Sequence, residues 1–301
     1  MNPGPNDDNA VDRPIGVFDS GVGGLSVLNA LRGTLPLERF VYFADTAHAP
    51  YGERGDAHVI ERTRDVARHL LQAHRCKALV VACNTATAAA VHLLRAEHHA
   101  LPVVGVEPAL KPAVAASRSR RIGVLATRGT LRSGKFQALH ASLANEAEFV
   151  LQPCDGLAAA IEANDSATIA ALCRDYMGAM GASGAMGASG ATGSFSSAGS
   201  IGSVQGDIDC VVLGCTHYPF VVGILQAHAA PSVRFFETGG PVARQTHHLL
   251  STRAQLRSSG PGEVTFLTSG AVAALDAAAA RWFQYPAGPA RRADVPLHAT
   301  A

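Results

Sequence analysis

Two short segments carry the most reactive side chains of the chain in matched settings. ALVVACNTAT (78–87) runs a buried-strand pattern into Cys83, Asn84 and Thr85, and DCVVLGCTHYP (209–219) runs a similar one into Cys215, Thr216 and His217. Each cysteine is expected just past the carboxyl end of a strand, the edge at which open parallel sheets bind ligands. Each also precedes a predicted helix, whose N-terminus favours a thiolate. One buried cysteine is an ordinary small hydrophobe; two in matched contexts with hydroxyl and amide neighbours are a chemical constellation. If the segments face each other across a cleft, a thiolate on one side of a bound molecule can remove a proton from carbon while a thiol on the other delivers one. The product is the mirror image. An unassisted thiol, with a pKa near ~8.5, is an adequate base only where its neighbours favour the anion. A helix N-terminus or His217 could do that for one cysteine while Asp19 keeps the other matched.

Two further loops belong to the same edge. IGVFDSGVGGL (15–25) reads as a strand, a glycine-rich turn and a helix, and places Asp19 and Ser20 there. No Gly-Lys-Ser/Thr follows, and Ser26 stands where a dinucleotide fingerprint needs its third glycine, so nucleotide binding is not indicated. The glycines are expected to let backbone amides approach a small anionic ligand. The loop DTAHAPYG (45–52) is too polar for core, and Tyr51 with Gly52 could close over a ligand. Three other readings remain open at this point. A pyridoxal-phosphate enzyme needs a placed lysine, and Lys77, Lys111 and Lys135 do not look placed. Cys83, Cys215 and His217 could ligate zinc, and a two-lobed protein could clamp an amino acid without transforming it.

The elements that position these loops follow from hydrophobic patterning. Apolar β-branched runs at 15–18, 40–44, 78–82, 103–106, 122–126, 149–151, 209–213, 233–236 and 264–267 predict strands, with helices clearest at 56–74, 85–97 and 271–282. This alternation predicts an α/β protein with parallel sheets. A length of 301 residues suggests two lobes, and 48% hydrophobic against 16% charged residues excludes general disorder. A net charge of +1 gives no pull toward nucleic acid or an anionic membrane. No apolar run is long enough for a membrane span and the N-terminus lacks a signal pattern, so a soluble cytoplasmic protein is expected. Six cysteines are too sparse for a disulfide scaffold. Residues 1–13 and 286–301 read as tails, and the Gly/Ala/Ser-rich stretch 178–206 as a flexible insertion.

The set DSGxGGL, ADTxxxPYG, VxACNTAT, GVEPAxKPA, IGVLATxGT and VLGCTHYP, in this order between Ile15 and about Tyr285, resembles the glutamate racemase family of the aspartate/glutamate racemase superfamily. The resemblance implies two similar doubly wound parallel-sheet lobes with the active site in the cleft between them: 14–106 plus 237–285, and 107–236. It implies cofactor-independent, metal-free interconversion of L- and D-glutamate, with the D-enantiomer feeding peptidoglycan precursors, and it allows a homodimer. Cys83 and Cys215 would be the acid/base pair, assisted by Asp19 and His217 and, from the segment CDGLAAAIE, by Glu162. Asp19 and Ser20, Tyr51 and Gly52, Asn84 and Thr85, and Thr216 and His217 would bind substrate. Glu237-Thr238-Gly239-Gly240 departs from the family pattern at the return to the first lobe.

Overall fold

The computed structural model describes residues 10–181 and 207–295. Its strands are β1 (Ile15–Asp19), β2 (Phe40–Ala44), β3 (Ala78–Val81), β4 (Val103–Gly105), β5 (Arg121–Ala126), β6 (Glu148–Pro153), β7 (Cys210–Leu213), β8 (Arg234–Phe236), β9 (Val264–Thr268) and β10 (Arg291–Arg292). The α-helices are α1 (Leu25–Thr34), α2 (Asp56–Ala73), α3 (Asn84–Glu97), α4 (Leu110–Ala116), α5 (Arg128–Arg132), α6 (Gly134–Leu143), α7 (Leu157–Ala163), α8 (Ser166–Ala179), α9 (Val222–Ala227), α10 (Gly239–Thr252) and α11 (Val272–Trp282).

Two parallel sheets result, one in the order β10-β9-β2-β1-β3-β4 and one in the order β6-β5-β7-β8. Strands β1, β2, β3 and β7 are buried at every residue, which is why they read as unbroken apolar runs: helices cover both faces of the sheet. On one face of the first sheet, Val27, Leu28 and Leu31 of α1 pack with Val242 and Leu250 of α10. On the other, Val59, Val66 and Leu70 of α2 pack with Val91 and Leu94 of α3. Gly239 lets α10 close on α1, since a Cβ there would stand 3.1 Å from the Ala30 Cβ.

The segments β2-β1-β3-β4 and β6-β5-β7-β8 repeat one topology, second-first-third-fourth. In each, the strand order reverses between the first and third strands, and there the carboxyl ends open a crevice. Cys83 follows β3 and Cys215 follows β7, the same place in the two units.

Three expectations need amendment. Residues 290–295 are not a tail: β10 pairs with β9, Ala290 is buried and its amide donates to Asp276 Oδ1 at 2.7 Å, because the segment completes an otherwise open sheet edge. Residues 10–13 are likewise tied down, with Val11 O accepting from Lys77 Nζ at 2.6 Å and Asp12 accepting from Arg257 Nε at 3.0 Å. Helix α8 continues through Ala179, beyond the expected start of the insertion at 178, because Met177 and Met180 are buried and Met180 reaches Gly123 of β5. The rest of the insertion, 182–206, lies outside the described residues.

At the amino-terminal edge of the first sheet, Lys77 and Glu38 form an ion pair at 2.6 Å with both side chains only 2% exposed. Lys77 also donates to Gln255 O at 2.8 Å, and Glu38 accepts the Arg257 amide at 2.9 Å. Removing one partner leaves the other charge buried and unpaired. Lys77→Ala should therefore lose about 3–5 kcal/mol of stability, read from urea denaturation followed by circular dichroism; a loss below ~1 kcal/mol would show that Glu38 finds water or protonates cheaply.

Candidate active site

The crevices of the two sheets face one another and enclose a cavity of about 510 Å³. Asp19 and Ser20 reach it from the end of β1, Tyr51 and Gly52 from the loop after β2, and Cys83, Asn84 and Thr85 from the end of β3. The second sheet supplies Cys215, Thr216 and His217 after β7, and α7 supplies Glu162. Every site residue expected from sequence thus lines one cavity. It is also lined by Thr46, Thr127, Arg128, Thr130, Cys154 and Asp155, which sequence reading did not single out. The signal for four of them lay in the internal repeat: Thr127 and Arg128 follow β5 as Asp19 and Ser20 end and follow β1, and Cys154 and Asp155 follow β6 as the 45–52 loop follows β2.

The two thiols sit in different electrostatic surroundings. Cys83 is the N-cap of α3 and accepts the Ala86 amide at 3.5 Å; Ser20 Oγ lies 3.5 Å from the same sulfur. Burial, reinforced by the nearby Asp19 carboxylate, pushes its thiol up to about 12, and the Ala86 and Ser20 contacts only partly oppose this. Asp19 itself is raised by burial, although His217 and the Gly24 amide, donating at 2.7 Å, pull the other way. Raised that far, the Cys83 thiol keeps its proton at neutral pH.

Cys215 has another kind of neighbour. His217 Nδ1 lies 3.5 Å from Cys215 Sγ, and Nε2 lies 2.8 Å from Glu162 Oε1. Burial alone would lower the imidazole, but Cys215 and Glu162 on its two nitrogens hold it well above its ordinary value. An imidazolium donates from both nitrogens and satisfies both contacts. The expected helix after Cys215 is reduced to a 3-10 turn (Tyr218–Val221) and the short α9, so charge support for that sulfur comes from His217.

The glycine-rich turn also differs from expectation. Its amides meet the protein's own carboxylates: Val22 donates to Glu162 Oε1 at 3.3 Å and Gly24 to Asp19. A Cβ at Gly21 would fall 1.9 Å from Glu162 Oε1, and one at Gly23 would fall 2.5 Å from His217 Nδ1. Glycine is needed here so that the first lobe can lie against the second. Ser26 Oγ closes the seam by donating to Thr216 O at 2.7 Å.

Asn84 lacks a hydrogen-bond partner for either side-chain polar atom, although both atoms are buried. Such a group at a cavity wall is suited to a polar ligand. No lysine lines the cavity among the described residues; Lys77 pairs with Glu38 and Lys135 with Glu107. Among the described residues, no group of three or more His, Cys, Asp or Glu side chains is arranged to hold a metal ion. Nor is any described helix long and apolar enough to cross a membrane.

A family profile described as Asp/Glu/hydantoin racemase matches residues 26–188. The chain is 43% identical over 262 residues to a glutamate racemase of Pseudomonas paraeruginosa, covering 86% of this chain and 90% of that protein. It is 43% identical over 267 residues to one of Ralstonia pickettii, covering 88% and 86%. Its fold is similar to glutamate racemase isoform RacE1 of Bacillus anthracis, with a TM-score of 0.78, 27% identity and coverage of 95% and 99% of the two chains. It is also similar to the Escherichia coli glutamate racemase solved with L-glutamate and the activator UDP-MurNAc-ala, with a TM-score of 0.74, 27% identity and coverage of 94% and 99%.

Because the folded imidazole of His217 titrates above its unfolded value of about 6.5, its charge contributes stability that is complete below about pH 6.5 and is lost as pH rises through the higher folded value. Glu162→Gln removes the carboxylate and should move that loss to lower pH. Imidazole NMR titration of the variant checks this; a His217 midpoint unchanged from the parent would show that Glu162 does not hold the proton.

Proposed function

Because the chain belongs to the glutamate racemases of the Asp/Glu/hydantoin racemase family, we propose that it interconverts L- and D-glutamate with Cys83 and Cys215 as its two acid/base groups. The observation that carries this is the pair of sulfurs from equivalent strands of two facing units, lining one cavity, with Ser20 beside one and His217 beside the other. A one-step inversion needs a base on one side of the α-carbon and an acid on the other. Toward one enantiomer Cys215, 3.5 Å from His217 Nδ1, would act as the base and Cys83, whose thiol is raised by burial, as the acid.

The reaction then runs as a proton exchange. Cys215 takes the α-proton of the enantiomer that presents it, and the Cys83 thiol delivers its own to the opposite face; the two sulfurs end with their protonation exchanged, ready for the reverse enantiomer. The substrate ammonium beside Asp19 would favour the Cys83 thiolate formed, since an opposite charge nearby stabilises an anion. An amino-acid α-proton is far less acidic than a thiol, so most of the barrier must be met electrostatically. The unpartnered Asn84 amide and the hydroxyls of Ser20, Thr85 and Thr216 are suited to bind the α-carboxylate and to stabilise charge as it develops there. Thr127, Thr130 and the Gly52 amide are among the further polar groups of the wall available to the distal carboxylate. The D-glutamate formed would serve peptidoglycan precursor synthesis, and no cofactor enters the scheme.

Cys83→Ser and Cys215→Ser should each lower kcat for racemisation by about 10²–10⁴-fold, with glutamate binding retained. Polarimetry in deuterated water, with α-deuterium incorporation followed by NMR, measures both halves of the exchange. Turnover undiminished in either serine variant would remove that cysteine from the mechanism.

A further inference from the structure

The loop from Asp45 to Gly52 forms one wall of the cavity, yet its strongest contacts point away from it. The Tyr51 side chain is buried, with its ring against Phe18 at a centroid distance of 6.1 Å, and its hydroxyl donates to Asp45 Oδ2 at 2.6 Å. That hydroxyl proton is therefore not offered to a ligand. Asp45 in turn is held bidentate by Arg62 of α2, Nε donating to Oδ2 at 3.0 Å and Nη2 to Oδ1 at 2.7 Å, with both side chains fully buried. The remaining arm of the guanidinium, Nη1, donates to the carbonyl of Val295 at 2.8 Å.

Val295 lies three residues past β10, and the segment before it is fixed by the Ala293 amide donating to Thr268 O at 2.9 Å. The end of β9 braces the same loop, through Thr46 Oγ1 to Thr268 Oγ1 at 2.9 Å and the Ala47 amide to Ser269 Oγ at 3.2 Å. Neither Asp45 nor Arg62 lines the cavity. A buried ion pair is weak evidence for stability, because desolvation offsets most of its attraction. What a planar bidentate pair does supply is a fixed geometry.

We infer that Asp45 and Arg62 are positioning residues for the Tyr51–Gly52 wall, and that segment 290–295 is a strap holding Arg62 in register, so that this segment sets substrate affinity without touching substrate. The inference rests on the racemase reading above. The guanidinium fixes the carboxylate, the carboxylate fixes the Tyr51 hydroxyl, and the ring fixes the backbone of Gly52. Gly52 faces both lobes: its carbonyl would be 3.3 Å from a Cβ at Gly129, and its own Cβ would lie 3.8 Å from Thr85 Oγ1. A loop already held in its binding geometry spares the cost of ordering it on association, so loosening this wall weakens binding.

The test compares the full chain with a chain ending at Leu297, which keeps the Val295 peptide carbonyl, a chain ending at Ala293, which loses it, and Tyr51→Phe. Steady-state racemisation of L- and D-glutamate is measured alongside thermal melting. The chain ending at Leu297 should keep the KM of the full chain. The chain ending at Ala293 and Tyr51→Phe should each raise KM about tenfold, the worth of roughly one net hydrogen bond, with kcat within about twofold. Combining them should add little, because both cut one path. A lowered Tm with KM unmoved in both variants is the signature of a merely structural strap and overturns the inference. If the chain ending at Ala293 does not fold, Tyr51→Phe decides alone by the same criterion. If the full chain binds glutamate without racemising it, the racemase reading falls instead, and the same tenfold change, or its absence, is read from glutamate Kd by calorimetry.

Discussion

Glu162 holds its carboxylate in the seam between the two sheets, accepting from His217 on its own side and from the Val22 amide of the facing loop. Little in this site could be arranged as it is without that contact. The carboxylate keeps His217 charged, the charged ring stands beside Cys215, and the amide from the first lobe sets how closely Asp19, Ser20 and Cys83 approach from the other side. The glycines at 21 and 23 are the steric condition for it, since any side chain there would occupy the space of Glu162 or His217. The imidazole is buried while the Glu162 side chain stays 32% exposed, so the contact fixes the ring more by geometry than by unscreened attraction. Burial raises the Cys83 thiol, which has a carboxylate rather than a cation for its neighbour.

Repetition of one topology supplies the geometry, and departure from it supplies the chemistry. Two units with the strand order second-first-third-fourth place a cysteine at the same crevice position, so facing them brings two sulfurs to one cavity. Had the surrounding loops repeated as well, the two sulfurs would have the same neighbours. They do not repeat: the first unit ends β1 in Asp19, whereas the second follows β5 with Thr127 and Arg128, and Arg128 is paired outward with Asp155. Carboxylate beside one sulfur and imidazole beside the other make the two surroundings unequal, which suits the unequal roles of the proposed exchange.

The lobes are also unequal in how firmly their loops are held. The 45–52 loop is fastened by the buried Asp45–Arg62 pair and by the carboxyl end of β9, both dependent on the last part of the chain. One contact between the lobes away from the cavity is aromatic, with Phe220 stacked on Trp282 at 4.6 Å between centroids and 6° between planes. Offset stacking of this kind tolerates sliding better than a hydrogen-bonded seam does. The rigid side of the molecule thus carries the loop wall, and the seam at Glu162 is the contact that registers how the two lobes sit.

Much of this was legible in the residues. The strands could be read because sheets covered on both faces demand continuous β-branched runs, and ALVVAC and DCVVLGC are such runs. The fold class follows from their alternation with helices, and the placement of Cys83 and Cys215 at strand ends follows from where each run stops. Hydrogen bonds and contacts between residues far apart in sequence were not legible, because local pattern carries no information about them. Nothing in CDGLAAAIE says that Glu162 meets His217, nothing in the polar 286–295 segment says that it completes a sheet edge, and an arginine within the helical pattern 56–74 reads as solvated until Asp45 is found beneath it. The sequence alone determined which residue types stand at the two strand ends; only the packing of two sheets against each other, which sets Asp19 near Cys83 and His217 between Cys215 and Glu162, decided what surrounds each sulfur.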